Sequence, residues 1–400
     1  MYNEIHQILK GEIMNKRFLH LKVLFLINIL LIVVFTGCIE EKKSEELEDK
    51  SIPDTQMDQP SILPDWEDGE YHDYYGTMEK LNGFNDKFPE LIYTFRIGES
   101  VLGRDIWCVR ITNENNNGKK FSCLIDGCIH GSEWEGGEAC LYLAEYLLIN
   151  FGKNATITNI LNNSEVYLVP LVNPDGRQDN TRWNENGIDL NRNYDADFGR
   201  LRGRVVRIGK LFGRIKIPKL KIPFLGIFTN CGRRAFSEPE SQAMRDLMKS
   251  LGNHDFSFYL NLHTATHNII SPWFVFKPPF KMTQHQEYVF NYVKNWVDEN
   301  TEYEAYWGEG IFSKGKDYIS GTAMDWCFQE FHILSFIFEL LSPDYDPGLG
   351  QGKHDHLVHW MKTALPIYMY LLVNIENLHD WTNPDVQPSL PEGIPPSPLR

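Results

Sequence analysis

The chain lacks several features that would narrow its function at once. It has no excess of positive charge: 39 Lys and Arg face 54 Asp and Glu, a formal net charge of −15. That balance argues against nucleic acid as a partner. The acidity is also local, because twelve acids meet only three lysines between Ile39 and Glu70, which accounts for −9 of the total. No CxxC pair occurs among the seven cysteines, so a thiolate zinc cluster is excluded. There is no internal repeat, which removes solenoids and propellers. No apolar run reaches the ~20 residues of a comfortable membrane-spanning helix.

What stands at the N-terminus is an address. Lys16, Arg17 and Lys22 lead into "VLFLINILLIVVF", Val23 to Phe35, a run of 13 residues suited to a signal-peptide core. It closes with "FTGC", and the stretch resembles a lipoprotein signal, with Met14 a fitting start and Phe35 where leucine is usual. Residues 1–37 then read as the signal, and cleavage leaves Cys38 lipidated at the new N-terminus. The alternative is an uncleaved membrane anchor. Both place the folded part outside the cytoplasm, held at the cell-surface membrane by lipid or by the N-terminal segment. Residues 38–68, acidic and carrying Pro53, Pro60 and Pro64, read as a disordered tether.

From residue 69 to about 380 the pattern alternates, and 42% hydrophobic content is ample for one large core. "LIYTFRIG", "DIWCVRIT", "FSCLIDGCI", "EVYLVPLV", "FSFYLNLH" and "ILSFIFEL" read as strands, several of them continuously apolar. "MEKLNGFNDKF" and "WEGGEACLYLAEYLLINF" read as helices. "SEPESQAMRDLMKSL" carries a capping-box signature, Ser237 with Glu240 three residues on and Pro239 in the first turn. "LVHWMKTALPIYMYLLVNI" reads as a long helix interrupted at Pro366. Buried strands alternating with helices predict a single α/β domain, its mixed, mostly parallel twisted sheet covered by helices on both faces. The tail at 381–400 is proline-rich. Cys123 and Cys128 fall on one predicted strand and cannot bridge within it, and the remaining cysteines are left unassigned.

The chemistry gathers at strand ends. "CIHGSEWEGGEA" places His130 after an apolar strand and Glu133 three residues on, at the start of a helix. Ligands collect at such carboxyl ends of strands in open α/β sheets. His263, closing "FYLNLH", completes a His2Glu set of the kind that binds catalytic zinc with one position open. Taken alone, such pairs also occur as polar residues that close a strand. Arg182 and Arg192 lie in a polar loop after another buried strand, where they serve either as solvated residues or as oxyanion and carboxylate binders. Glu339 sits between Phe338 and Leu340, and a carboxylate in so apolar a run should be paired, ligated or catalytic.

In order along the chain, "IGESVLGRDIW", "GCIHGSEW", "NPDG", "GIDLNRN", "FSEPE", "NLHT", "YISGTAMDW" and "FEL" resemble the motifs of zinc carboxypeptidases of the carboxypeptidase A/B type, over roughly Tyr71 to Leu378. The resemblance implies a hydrolase with one zinc ion that cleaves the C-terminal bond of peptides having a free C-terminus. It makes His130, Glu133 and His263 the metal ligands. Glu339 becomes the general base toward the zinc-bound water, and Arg182 the oxyanion-stabilising arginine. Asn191 and Arg192 match the pair that grips the terminal carboxylate, and Tyr318 the tyrosine that closes over the bound residue.

Three departures accompany the match. Ser132 stands where the digestive enzymes have arginine. The loop between Tyr318 and Asp325 is one residue shorter, which blurs the specificity position; if Met324 lines that pocket, apolar C-terminal residues are preferred over basic ones, and Phe274 would narrow it. An insert spans 200–230, and its Arg200–Lys221 segment has nine Lys or Arg and no acid. It reads as a solvated, hairpin-like excursion, or else as a basic-apolar flap for anionic lipid or acidic substrates. Two other readings of the whole remain at this point: a zinc amidase or deacylase acting on an acyl-amino acid or cell-wall peptide, and a surface binding protein on an inactive peptidase scaffold.

Overall fold

The computed structural model describes residues 61–382, apart from 68, 202–203, 206–218, 223–225, 265, 276, 309–318 and 341–356. The signal segment 1–37, Cys38, most of the tether, Tyr318 and nearly all of the tail therefore lie outside the described residues.

The chain opens with α1 (Tyr74–Lys87), β1 (Ile92–Glu99), β2 (Asp105–Ile111) and β3 (Phe121–Asp126). Helix α2 (Trp134–Asn150), α3 (Ala155–Asn163), β4 (Ser164–Val169) and the short α4 (Pro174–Gln178) follow. The insert contributes the paired fragments β5 (Arg200–Leu201), β6 (Arg204–Val205), β7 (Lys219–Ile222) and β8 (Gly226–Thr229). Next come α5 (Pro239–Leu251), β9 (Phe256–His263), β10 (Asn268–Ser271), α6 (Gln284–Asn300) and β11 (Glu304–Trp307). The domain closes with α7 (Ala323–Phe331), β12 (Leu334–Glu339), α8 (Leu357–Val373) and α9 (Ile375–Thr382).

Eight strands form one sheet in the order β1-β2-β4-β3-β9-β12-β10-β11. The four central strands, β4, β3, β9 and β12, run parallel, and β10–β11 is parallel at one edge. Antiparallel pairing joins β1 to β2, β2 to β4 and β10 to β12. This is the mixed, mostly parallel sheet expected from the continuous apolar runs, since a strand covered on both faces has no polar side to show. All eight residues of β9 are buried, with α9 and α7 both packed on that strand. Because the central strands are parallel, their carboxyl ends share one edge of the sheet, and there Asp126, His263 and Glu339 close β3, β9 and β12.

The fold begins earlier than residue 69. Trp66 belongs to the core, its ring edge-on to Tyr142 and its Nε1 donating to Glu145 at 2.8 Å. The segment 62–72 runs along α2 in the opposite direction as a strap. Asn150 bonds both the N–H and the carbonyl of Ile62, Glu138 accepts from the His72 backbone and ring, and Tyr71 donates to Glu135. Arg177 secures the strap from the other side by donating to the His72 carbonyl.

Other local expectations are corrected. Ser237 does not cap α5: the N-cap is Glu238, without a side-chain cap bond. The Ser237 hydroxyl instead meets Glu238 and Asn193, while Glu240 accepts from the Val101 N–H and from Asn184, so tertiary partners draw both residues away. A capping box does form at α6, between Thr283 and Gln286, of a kind worth about 1 kcal/mol. Helix α8 continues through Pro366, where packing of Leu365, Ile367 and Tyr370 into the core offsets the lost backbone bond. The third strand stops at Asp126, which puts Cys128 in the following loop rather than on the strand. Six cysteines are free and buried among the described residues. In the insert, β7 and β8 pair antiparallel, so that part is a hairpin.

Candidate metal centre and active site

Backbone geometry brings the ligand loop into place. Gly127 lies so close to α2 that a Cβ there would meet the Gly136 carbonyl carbon at 2.2 Å, and one on Gly131 would meet that of Gly176 at 2.0 Å. Only glycine allows the β3–α2 loop to sit on both the helix start and the "NPDG" turn. Cys128 turns the chain with a φ of 52°, and its Sγ lies 3.3 Å from the Glu133 carbonyl oxygen. Glu133 is the N-cap of α2, yet its carboxylate makes no cap bond. It points to the histidines instead.

His130, Glu133 and His263 are all buried and converge, with ligand atoms within 4.8 Å of one another. His130 Nδ1 is 2.8 Å from Glu133 Oε1, His263 Nδ1 is 2.7 Å from Oε2, and the two Nδ1 atoms are 3.1 Å apart. Both imidazoles therefore turn the same nitrogen inward. Behind them, His130 Nε2 meets Asp189 Oδ1 at 3.1 Å and His263 Nε2 meets Asn261 Oδ1 at 2.6 Å. An inward nitrogen pair, one carboxylate and an acceptor behind each ring suit zinc. Burial opposes ionisation of Glu133, but His130 and His263 hold its carboxyl below the usual range.

Around this centre stand the other expected residues. Arg182 is half-buried, donating from Nη1 to Glu133 Oε1 and from Nε to Asp189 Oδ2, each at 3.1 Å. Burial works against the Asp189 anion, yet Arg182, Arg192 and His130 keep it well below the usual carboxylate range. Asn191 accepts from the Ala323 N–H at 2.8 Å and turns its amide toward His263. Arg192 donates to the Asn191 carbonyl at 2.6 Å, and among the described residues no carboxylate pairs with its guanidinium. Burial lowers its pKa, with Asp189 opposing the shift. Glu339 closes β12 directly beside His263 in the parallel register. Burial pushes its carboxyl up to about 7 against the pull of His263, with Glu133 reinforcing the rise.

Met324 is wholly buried in a small apolar cluster with Ile270, Phe274 and Ile337, against which Ile319 packs. That cluster starts one residue from Ala323, the partner of Asn191. Tyr318 lies outside the described residues. Residues overlooked in the sequence are Asp189, Asn261, Asp126 and Tyr259. Asp189 carried a readable signal, since it lies between Ile188 and Leu190 as Glu339 lies between Phe338 and Leu340.

The family model described as zinc carboxypeptidase, peptidase M14, matches residues 77–347. This chain belongs to that zinc carboxypeptidase family. It is 24% identical over 290 residues to human mast cell carboxypeptidase A, covering 67% of this chain and 64% of the relative. Human carboxypeptidase A1 is 25% identical over 285 residues, 66% of this chain and 62% of that protein. The chain thus spans just under two thirds of these relatives. The solved structure of carboxypeptidase A from Helicoverpa armigera superposes with a TM-score of 0.61 at 21% identity, over 80% of this chain and 76% of that one, and shows the same fold.

Proposed function

We propose that this chain is a zinc-dependent carboxypeptidase that removes the last residue of peptides with a free C-terminus. The observation that carries the reading is the buried His130–Glu133–His263 set with Glu339 at the adjacent strand end and, nearby, Arg192, which pairs with no carboxylate among the described residues. Zinc, when bound there, supplies Lewis acidity toward the scissile carbonyl and lowers the pKa of water. Glu339 takes the proton from the attacking water and passes it to the leaving amine as the C–N bond breaks. Arg182 has donors left beyond its bonds to Glu133 and Asp189, and these are assigned to the oxygen on which negative charge develops. Arg192 and Asn191 receive the terminal carboxylate, because a half-buried guanidinium that makes no salt bridge with a carboxylate of the described residues favours a bound one. Tyr318 is assigned to close over the bound residue. Met324 and Phe274 give the pocket an apolar floor, supporting a preference for apolar C-terminal residues.

The test is one mixed-sequence peptide offered to the full chain as free acid and as C-terminal amide, read by mass spectrometry. Stepwise loss of residues from the acid alone, stopped by a chelator and restored by zinc, supports the reading. Equal attack on the amide, or internal cleavage, sinks it in favour of an amidase.

The same reading places the enzyme outside the cytoplasm, anchored at the membrane. Support comes from the basic residues before Val23–Phe35 and from Cys38 after "FTG". Among the described residues no helix is long and apolar enough to cross a membrane. Mass spectrometry of the mature N-terminus tests the anchor: a lipidated Cys38 supports it, and an intact chain with a free Cys38 thiol rules out lipid anchoring.

A further inference from the structure

Strand β9 carries polar side chains at alternate positions, among them Tyr259, Asn261 and His263. Successive side chains alternate across a strand, so positions two apart share one face. All three are buried, and Asp126 at the end of β3 is the cross-strand neighbour of Asn261. Tyr259 Oη donates to Asp126 Oδ2 at 2.7 Å, and Asn261 Nδ2 donates to Asp126 Oδ1 at 2.6 Å. Those bonds decide which way the Asn261 amide points. The two Asp126 oxygens accept from the Tyr259 hydroxyl and the Asn261 amide, so the nitrogen of Asn261 faces Asp126 and its oxygen faces His263. That oxygen lies 2.6 Å from His263 Nε2.

A second asparagine contacts the same ring atom. Asn191 Nδ2 lies 3.0 Å from His263 Nε2, and its orientation is set by the Ala323 N–H on Oδ1. The two neighbours ask for opposite tautomers. Asn261 offers an acceptor, which favours N–H at Nε2 and a free lone pair at Nδ1. Asn191 offers a donor, which favours the reverse. The Asn261 contact is shorter and its carboxamide is fixed by its bond to Asp126, so it prevails.

We propose that Asn261, aimed by Asp126, is a positioning residue that holds His263 as the Nε2–H tautomer, so that Nδ1 faces the metal as a ligand. The inference rests on the zinc reading of His130, Glu133 and His263 and goes beyond it, since Asn261 and Asp126 are not ligands. Outer partners of this kind alter metal affinity by about 10–100-fold when removed. A buried polar cluster that served only to hold β3 to β9 would leave the tautomer and the affinity untouched.

Two measurements on the full chain test it. Nitrogen-15 NMR of the histidine rings in the zinc-loaded wild type should show the His263 proton on Nε2; a proton on Nδ1 overturns the proposal without any variant. Zinc affinity by chelator competition should fall about 10–100-fold in Asn261→Leu. In Tyr259→Phe, which loosens Asp126 but spares the Asn261 contact, affinity should stay within twofold of wild type. Equal affinities in Asn261→Leu and Tyr259→Phe overturn the proposal. Failure of the wild type to bind zinc would instead count against the metal reading itself, so the two failures are distinguishable.

Discussion

Glu339 and His263 are lateral neighbours, the last residues of two parallel strands paired in register. The proposed base and a metal ligand are thus set side by side by the sheet ladder rather than by a loop. Their separation is governed by the spacing between strands, which varies little. Replacing Glu339 with Gln keeps the shape and removes the base. Turnover should drop by about 10²–10⁴-fold, while zinc content measured by metal analysis stays at the wild-type level. Loss of zinc along with activity would mean that Glu339 belongs to the metal set.

Arg192→Ala should cost at least ~30-fold in kcat/KM on free-acid peptides, from the ~2 kcal/mol or more carried by a desolvated charge pair. The amide peptide should be nearly unaffected, so discrimination between acid and amide narrows. Parallel kinetics on the two peptides decide the point.

Metal removal should be reversible and visible in stability. At a zinc concentration a hundred times Kd the folded state gains about 2.7 kcal/mol. Thermal melts with and without chelator should therefore separate for the wild type. His263→Ala should melt identically under both conditions.

Asp325 is fully buried and accepts from the Phe274 N–H at 3.1 Å. Burial raises its pKa from 3.8 to about 7, the Phe274 N–H opposing the shift. A carboxyl raised in the folded state binds its proton more tightly there than in the unfolded chain. The stability it contributes is complete below the unfolded value and is lost as pH rises from about 4 to about 7. Asp325→Asn should flatten that part of the stability profile in denaturant titrations at several pH values. An unchanged slope would remove Asp325 as its source.

Gly131→Ala places a methyl against the Gly176–Arg177 backbone, a clash no rotamer relieves. It should cost about 1–3 kcal/mol and weaken zinc binding by displacing His130. Calorimetry together with chelator competition would reveal both effects.

The residues readable from sequence were those whose chemistry conflicts with their surroundings. Glu339 in an apolar run and His130–Glu133 at a strand end both announced themselves, and so did the strands buried on two faces. Asn261 escaped because a single carboxamide does not disturb the apolar period of "FYLNLH", and its meaning comes from Asp126 on another strand. Ser237 and Glu240 misled for the related reason that a local capping pattern competes with distant partners, here Asn193, Asn184 and Val101. Pro366 misled because local propensity yields to core packing around it. Helix α3, whose N-cap Asn154 bonds the Ile157 N–H, was overlooked although that cap is a local signal.

The strap at 62–72 has a mechanical meaning. Its attachments are spread along α2, from Asn150 at one end to Glu135 at the other. Tension entering from upstream of Ile62 meets Asn150 first. That is 17 residues of helix, roughly 25 Å, from Glu133. The strap thus places its first attachment a helix length away from the residue that must stay in register with the histidines.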